Sequence, residues 1–439
     1  MKTSQLLSIL LIVQSIFYIS CVDPKDIKIP SQYIKDSTFV SMIAKAPTSV
    51  KTLYTSPSGS GSTCSSSSPC SLSTGISKLQ KGYTLYLKKG TYDIGNGLWV
   101  SCAGTADLYI LISSAPGEKA VITSSKKDKV SCFKISGSYI IIENLTFQNI
   151  RASTAQGIVF YGGGQHHVII RNNVFNYLQT TETRGSANSV VLLGENDVGI
   201  KQVIIYKNTV TNSALGYSEA LSVAGNCQEV YVLDNTLKNN TNIGIDFYGN
   251  AKYCKTPDLD QPRISVAMYN YIEKSISPYA SCAGLYVDGA RDIYLAENTI
   301  TKSQYGIEIG SEERNDEHPV TNIIVKKNTI KDNTITGIRI GGYAEVETGY
   351  VQVTDILENT ISGSSTAIII SKAKDIDIIG NKITDADKYF INIEFTTSYA
   401  RRITIENNAL SGSGKFVLYG TTKLSLDDFI AKYPTNTKK

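Results

Sequence analysis

The chain has 439 residues, 41% of them hydrophobic, which suffices for two or three ordinary domains or for one elongated repeat unit with a continuous core. Its 43 basic and 39 acidic residues nearly cancel, so nothing in the charge balance points to nucleic acid, and that class is set aside. Tyrosine occurs 27 times and tryptophan once, at Trp99, so a sugar-stacking platform would have to be built from tyrosine.

Met1-Lys2 and the short apolar run from Leu6 to Val13 read as a secretory signal over residues 1–21, cleaved near Ser20 or Cys21. The expected location is therefore extracellular, with disulfides permitted and no membrane insertion. Of the eight cysteines, Cys64 and Cys70 bracket a Ser-rich loop and could close it locally. Cys102 and Cys132, and likewise Cys227, Cys254 and Cys282, are one repeat apart, as pairs between adjacent coils would require. No Cys/His spacing fits a zinc site, and only three histidines could serve as ligands, so no metal is expected. Asn144-Leu145-Thr146 and Asn239-Asn240-Thr241 are glycosylation acceptors in form.

Residues 22–50 lack any period and read as a leader that packs loosely or not at all. Ser71 to Leu79 then carries a short helical pattern that would cap the first coil, followed by the strand Thr84-Leu85-Tyr86-Leu87. From Val168 a strand phrase ending in asparagine recurs, with Asn173, Asn208, Asn235, Asn270, Asn298, Asn328, Asn359, Asn381 and Asn408 at intervals of 22 to 35 residues. Such a period marks a solenoid, and an asparagine at one corner of every coil can hydrogen-bond to its copies above and below. Helical periodicity is nearly absent from Thr84 to Gly420. The expected fold is all-β, a right-handed parallel β-helix of about ten triangular coils in one domain over residues 51–439. A C-terminal helix capped by Ser425 would close it, and Thr435 to Lys439 reads as a polar tail.

Between the asparagines a second phrase returns: Gly244-Ile245-Asp246-Phe247, Gly284-Leu285-Tyr286-Val287, Gly306-Ile307-Glu308-Ile309 and Gly337-Ile338-Arg339-Ile340. Its second and fourth residues are apolar while the third varies, the period-2 mark of a strand with one buried face. If the copies stack in register, Asp246, Tyr286, Glu308 and Arg339 form one exposed row. Asp288 shares that face, two residues beyond Tyr286. Carboxyl groups about 6.5–9.5 Å apart suit an inverting glycoside hydrolase, so Asp246, Asp288 and Glu308 are the candidate acid and base. Asp288 also reads as a turn aspartate before Gly289. Tyr161, Tyr248, Tyr279, Tyr286 and Tyr343 are candidate stacking residues, and Arg339 and Arg263 could meet an acidic sugar. The loops Asn250 to Pro262 and Gly310 to Pro319 would flank the row, although Glu312 to Glu317 reads equally as a solvated charge run. His166 and His167 open a strand, which would put one in and one out.

The opening Ser-Pro-x-Gly-Ser, the helix and Gly82-Tyr83-Thr84-Leu85-Tyr86-Leu87-Lys88-Lys89-Gly90-Thr91-Tyr92 resemble the N-terminal segment of secreted β-helix proteins of the pectin-lyase-like superfamily, including proteins like polysaccharide lyase family nine. The resemblance implies the fold and a glycan substrate. Family nine lyases are described as holding calcium on an aspartate cluster beside a lysine base, and the matching coils contain no such cluster. Asp258 and Asp260 with Lys255 or Arg263 come nearest. The expectation is a monomeric, polysaccharide-cleaving hydrolase without a cofactor. The alternatives are a Ca²⁺-dependent lyase acting by β-elimination and a non-catalytic glycan-binding surface protein.

Overall fold

The computed structural model describes residue 23 and residues 26–342, 348–394, 401–412, 416–419 and 422–438. The signal-like segment, Cys21 and Tyr343 lie outside them. The described residues wind through three sheets of 13 strands each, and among these strands all pairings are parallel except the hairpin of Phe416–Tyr419 with Thr422–Leu424. Each full coil contributes one strand to each sheet, giving the triangular section of a parallel β-helix. Leu145 and Ala115 hold the same corner in the two coils before Asn173, where the register sets them level with it.

The asparagines form the expected ladder. Asn298 Nδ2 donates to Asn328 Oδ1 at 2.9 Å, while Asn298 Oδ1 accepts from Asn270 Nδ2 at 2.9 Å and from the Asn270 backbone N–H at 3.0 Å. The residue before each rung is left-handed, as at Glu297 (φ 54°) and Lys327 (φ 56°), which turns the chain sharply from the first sheet into the second. Asn436 adds a final rung, accepting from Asn408 Nδ2 at 2.9 Å, and Thr437–Lys438 pairs with Ala409–Ser411. The predicted polar tail is thus tied into the stack.

The phrase glycines have a packing reason. A Cβ on Gly284 would lie 2.5 Å from Ile300 Cγ2, and one on Gly306 would lie 2.5 Å from Ile330 Cγ2. The third sheet therefore touches the isoleucines of the second at the corner, where no side chain fits. The expected helices close both ends. Leu72–Ser77, capped by Ser71 Oγ, buries Leu72 and Ile76, and Leu426–Lys432, capped by Ser425 Oγ, buries Leu426 and Phe429. Of the suggested cystine pairs only Cys64–Cys70 is formed; Cys102, Cys132, Cys227, Cys254 and Cys282 are free thiols.

The leader is not loose. Ile29, Tyr33, Phe39, Met42 and Ile43 are buried against Ile141, Ile169, Ile204 and Tyr231 on the outer face of the first sheet. Arg171 anchors this strap by donating to the carbonyls of Ile43 (2.8 Å) and Lys45 (3.2 Å). His166 and His167 both join it rather than facing opposite ways, because His167 is left-handed (φ 53°) and breaks the strand alternation. Their Nδ1 atoms lie 2.8 Å apart, and His167 Nε2 lies 3.1 Å from Asp36 Oδ2.

Candidate functional site

The third sheet builds the site. In the strands Ile245–Tyr248, Ala283–Asp288, Tyr305–Gly310 and Thr336–Ile340 the alternate residues Ile245, Phe247, Leu285, Val287, Ile307, Ile309, Ile338 and Ile340 are fully buried inside the coil. Their partners point the other way, and Asp246, Tyr286, Glu308 and Arg339 stand in direct register, as the phrase predicts. Tyr248, Asp288 and Gly310 form the next column on the same face.

The row is not exposed, however. Asp246 is 2% accessible, Tyr286 4% and Glu308 7%. Two inter-coil segments roof it. Residues 212–220 bring in Tyr217 and Glu219, held by Asn242 Nδ2 to the Ser218 carbonyl (3.0 Å) and by Asn188 Nδ2 to the Glu219 carbonyl (2.8 Å). Residues 274–282 are shaped by Gln304, whose Oε1 accepts from the backbone N–H groups of Ser277 (3.0 Å) and Cys282 (3.2 Å). Tyr217 lines the cleft, and its exposed ring stacks on that of Tyr279 from the other segment, with centroids 5.4 Å apart and planes 12° from parallel. Together these parts enclose a cleft of about 590 Å³.

The predicted flanking loops are tied to each other, and the second reaches the cleft at Glu312. Gln261 Nε2 bridges the Gly289 and His318 carbonyls at 2.7 and 3.1 Å, and Asn250 Nδ2 also donates to the His318 carbonyl. The Glu312 backbone N–H donates to Asp288 Oδ1 at 2.7 Å. Asp288 is thus more than a turn residue, and Glu312 belongs to the cleft rim rather than to a free charge run. Asp260 accepts from the N–H groups of Lys252 and Cys254 and so shapes the loop instead.

Five carboxyl groups face this space: Glu219, Asp246, Asp288, Glu308 and Glu312. Burial pushes Glu308 up to about 7, with Arg339 pulling back. Burial also lifts the half-buried Glu219 to about 7, against a hydrogen bond from Ser222. Asp246 is raised by burial and then by the charge of Asp288. Asp288 is raised by burial and then by Glu312, whose N–H works in the opposite direction. Glu312 is exposed at the rim, yet desolvation and then Glu313 raise it too. Such a cluster can hold protons at neutral pH and release them to a bound reactant.

Asp246, Asp288, Glu308, Tyr248 and Tyr286 therefore converge on one cleft, while Arg339 stands behind Glu308, its Nε 3.6 Å from Glu308 Oε1. Arg339 makes a charge contact there and its guanidinium lies over the Tyr305 ring, while its buried Nε has no hydrogen-bond partner. Arg263 is elsewhere: it donates to Asn226 Oδ1 (3.0 Å) and the Gln261 carbonyl (3.1 Å), holding its loop to the neighbouring coil. Tyr161 donates to Gln156 Oε1 at 3.0 Å, three strands before Tyr248. The sequence reading missed Tyr217, Glu219 and Tyr305. A signal for two of them existed, since Glu219 and Tyr305 each directly precede the phrase's glycine position, held by Ala220 and Gly306.

Residues 266–429 match the family described as periplasmic copper-binding protein (NosD). The uncharacterized protein YwoF of Bacillus subtilis strain 168 is 30% identical over 307 residues, 66% of this chain and 64% of that protein, so the chain spans less than two thirds of this relative. Among solved structures, the GH136 lacto-N-biosidase of Eubacterium ramulus has a TM-score of 0.55 at 12% identity, covering 82% of this chain and 67% of the enzyme. The periplasmic alginate epimerase AlgG has a TM-score of 0.51 at 12% identity, covering 78% of this chain and 75% of the epimerase. These likenesses are of fold: the chain is a right-handed parallel β-helix protein. A copper site is not built by the described residues, which form no group of three or more His, Cys, Asp or Glu suited to a metal. Within 266–429 the softer donors are dispersed: His318 sits beside Asp258, Cys282 on Gln304, and Met268 under the strap. No described helix is long and apolar enough to cross a membrane.

Proposed function

We propose that the chain is an exported glycan-cleaving hydrolase acting in the cleft of Asp288 and Glu308. One observation carries this reading: on adjacent strands in known register, Asp288 and Glu308 face the same space, one rung and two residues apart. That offset is roughly 8 Å between backbones, from a rung of about 4.8 Å and a two-residue rise of about 6.6 Å. A separation of about 6.5–9.5 Å between carboxyls leaves room for a water.

Glu308, held protonated near neutrality by its burial, donates its proton to the glycosidic oxygen as the C–O bond breaks. Asp288 acts in its ionised form, which the hydrogen bond from the Glu312 N–H favours against the raising effect of burial; that carboxylate takes a proton from the water that attacks the anomeric carbon from the opposite face. The product sugar is inverted. The stacked Tyr217 and Tyr279 supply a flat apolar surface for a sugar ring. No cofactor enters this chemistry. Elimination from a uronate fits the cleft less well, because the charged groups lining it are all acidic, with no lysine or arginine among the described ones to neutralise a uronate or serve as base.

The test is product analysis on neutral, amino and acidic polysaccharides, following reducing ends and unsaturated-uronide absorbance together, with and without chelator. Hydrolysis gives reducing ends alone, insensitive to chelator and lost in Glu308→Gln. Unsaturated products abolished by chelator would replace this reading with the calcium lyase, and a glycan bound but never cut would replace it with a binding protein.

A further inference from the structure

Hydrolysis by inversion uses two carboxyl groups, yet the cleft presents five, and every charged side chain lining it among the described residues is acidic. Arg339, the cation that reaches the row, is already paired with Glu308. The surplus acids are not explained by mutual bonding either. Asp246 is 2% accessible, and its Oδ1 has no hydrogen-bond partner although it lines the cleft. A buried carboxylate oxygen with nothing donating to it marks a place where the donor arrives with a ligand. Tyr286 is its partner on the next strand and Tyr248 stands two residues along the same face, while the Tyr305 ring, also lining the cleft, lies 5.7 Å from the Arg339 guanidinium. Aromatic rings combined with carboxylates form the environment that holds an ammonium group, through the ring quadrupole and charge-assisted hydrogen bonds.

We propose that the glycan taken by this cleft carries free amines, and that one sugar ammonium is bound by Asp246 and Glu219 beside Tyr248 and Tyr286. The substrate class is a de-N-acetylated amino-sugar polymer rather than a uronate polymer. This rests on the glycan reading of the cleft but not on the assignment of Asp288 and Glu308. It also explains why Asp246 stays unpaired: in the free protein it is neutralised by a proton, and in the complex the sugar's ammonium takes over that role and donates to Oδ1.

The experiment is calorimetric titration of the full chain at one pH and salt concentration with three tetrasaccharides: glucosamine, N-acetylglucosamine and galacturonate oligomers. The wild type is expected to bind the glucosamine oligomer about tenfold or more tightly than the N-acetylated one, the scale of one desolvated cation contact, and the galacturonate oligomer least. Asp246→Asn should bring the affinities for the first two within about twofold of each other. Glu219→Gln, on a different segment, should lower the preference in the same direction if Asp246→Asn does not fold. Equal or tighter binding of the N-acetylated or uronate oligomer by the wild type, binding of none of the three, or an undiminished preference in a folded Asp246→Asn overturns the proposal. Reducing ends measured on the same mixtures separate it from the hydrolase reading. Amine-selective binding without cleavage defeats only the latter, and cleavage of neutral glycan without amine preference defeats only the former.

Discussion

Arg339 Nε lies 3.6 Å from Glu308 Oε1, too far for a hydrogen bond and close enough for a strong charge contact in a buried setting. Burial pushes the Glu308 proton affinity up and Arg339 restrains it, leaving the carboxyl at about 7. Arg339→Gln should therefore raise the Glu308 pKa further and move the alkaline limb of the activity profile upward. Arg339→Lys should sit between wild type and Arg339→Gln, retaining charge but not the guanidinium shape. An alkaline limb that stays fixed in Arg339→Gln shows that Glu308 is not the acid being titrated. Glu308→Gln should reduce turnover about 10²–10⁴-fold, the usual contribution of a positioned acid.

The acidic cluster also predicts how stability depends on pH. Glu219 and Glu308 have ordinary values of 4.5 and folded-state values of about 7. A group raised on folding contributes stability that is complete below its unfolded value and is lost as pH rises through the folded one. Stability should thus fall from near pH 5 to pH 8. Asp246, with an ordinary value of 3.8 and raised by the same burial, should follow this pattern from a lower pH, so Asp246→Asn should raise the melting temperature more at pH 8 than at pH 5. The gain at pH 8 should be about 1–3 kcal/mol, the scale of relieving an unpaired buried group. Melts at the two pH values decide it, and an equal shift at both would show that the charge of Asp246 is not the source.

What the sequence could show follows from what repeats. The Asn173 to Asn408 ladder and the Asp246–Arg339 row were legible because each coil returns the same residue type to the same corner or face, and parallel register preserves the count. Burial of the row was not legible. It depends on Tyr217, Glu219 and Cys282, which lie on inter-coil segments of irregular length, where no period fixes position. The leader failed for a related reason: Tyr33, Phe39 and Met42 bury their side chains against the outside of a sheet. Such a single crossing strand of contacts leaves no amphipathic period to detect. Arg263 misled because a charged residue in a long loop resembles a ligand-binding group until its three acceptors are seen.

The stacked pair Tyr217 and Tyr279 gives a prediction about binding. Both rings are about half exposed, at 49% and 45%, and their mutual stacking at 5.4 Å braces two segments that share no strand. Tyr217→Ala or Tyr279→Ala should raise KM about three- to tenfold, matching about 0.5–1.5 kcal/mol for an aromatic contact. The double variant should cost less than the sum of the singles, because each ring positions the other. Phenylalanine at either position should retain wild-type KM. Additive effects on KM would show that the rings act at separate places on the sugar chain.

The asparagine ladder predicts a gradient of stability along the stack. Asn298 is fully buried; it donates to the Ala267 carbonyl and to Asn328 Oδ1, and accepts from both the side chain and backbone of Asn270. Asn298→Ala would leave the Asn270 donors unmatched in a dry corner and remove a donor from Asn328, costing about 2–5 kcal/mol. Asn436 is the last rung among the described residues: it donates to the Ile405 and Tyr433 carbonyls and accepts from Asn408. In a repeat array each coil is stabilised by its neighbours, so a lesion in the middle weakens both flanking interfaces, whereas one at the end frees only the last. Asn436→Ala should therefore cost less than half as much as Asn298→Ala in urea unfolding, with a terminal loosening visible as faster amide exchange confined to residues 401–438. Equal losses for the two variants would mean that the coils unfold as one block and that the ladder is not a chain of neighbour-to-neighbour couplings.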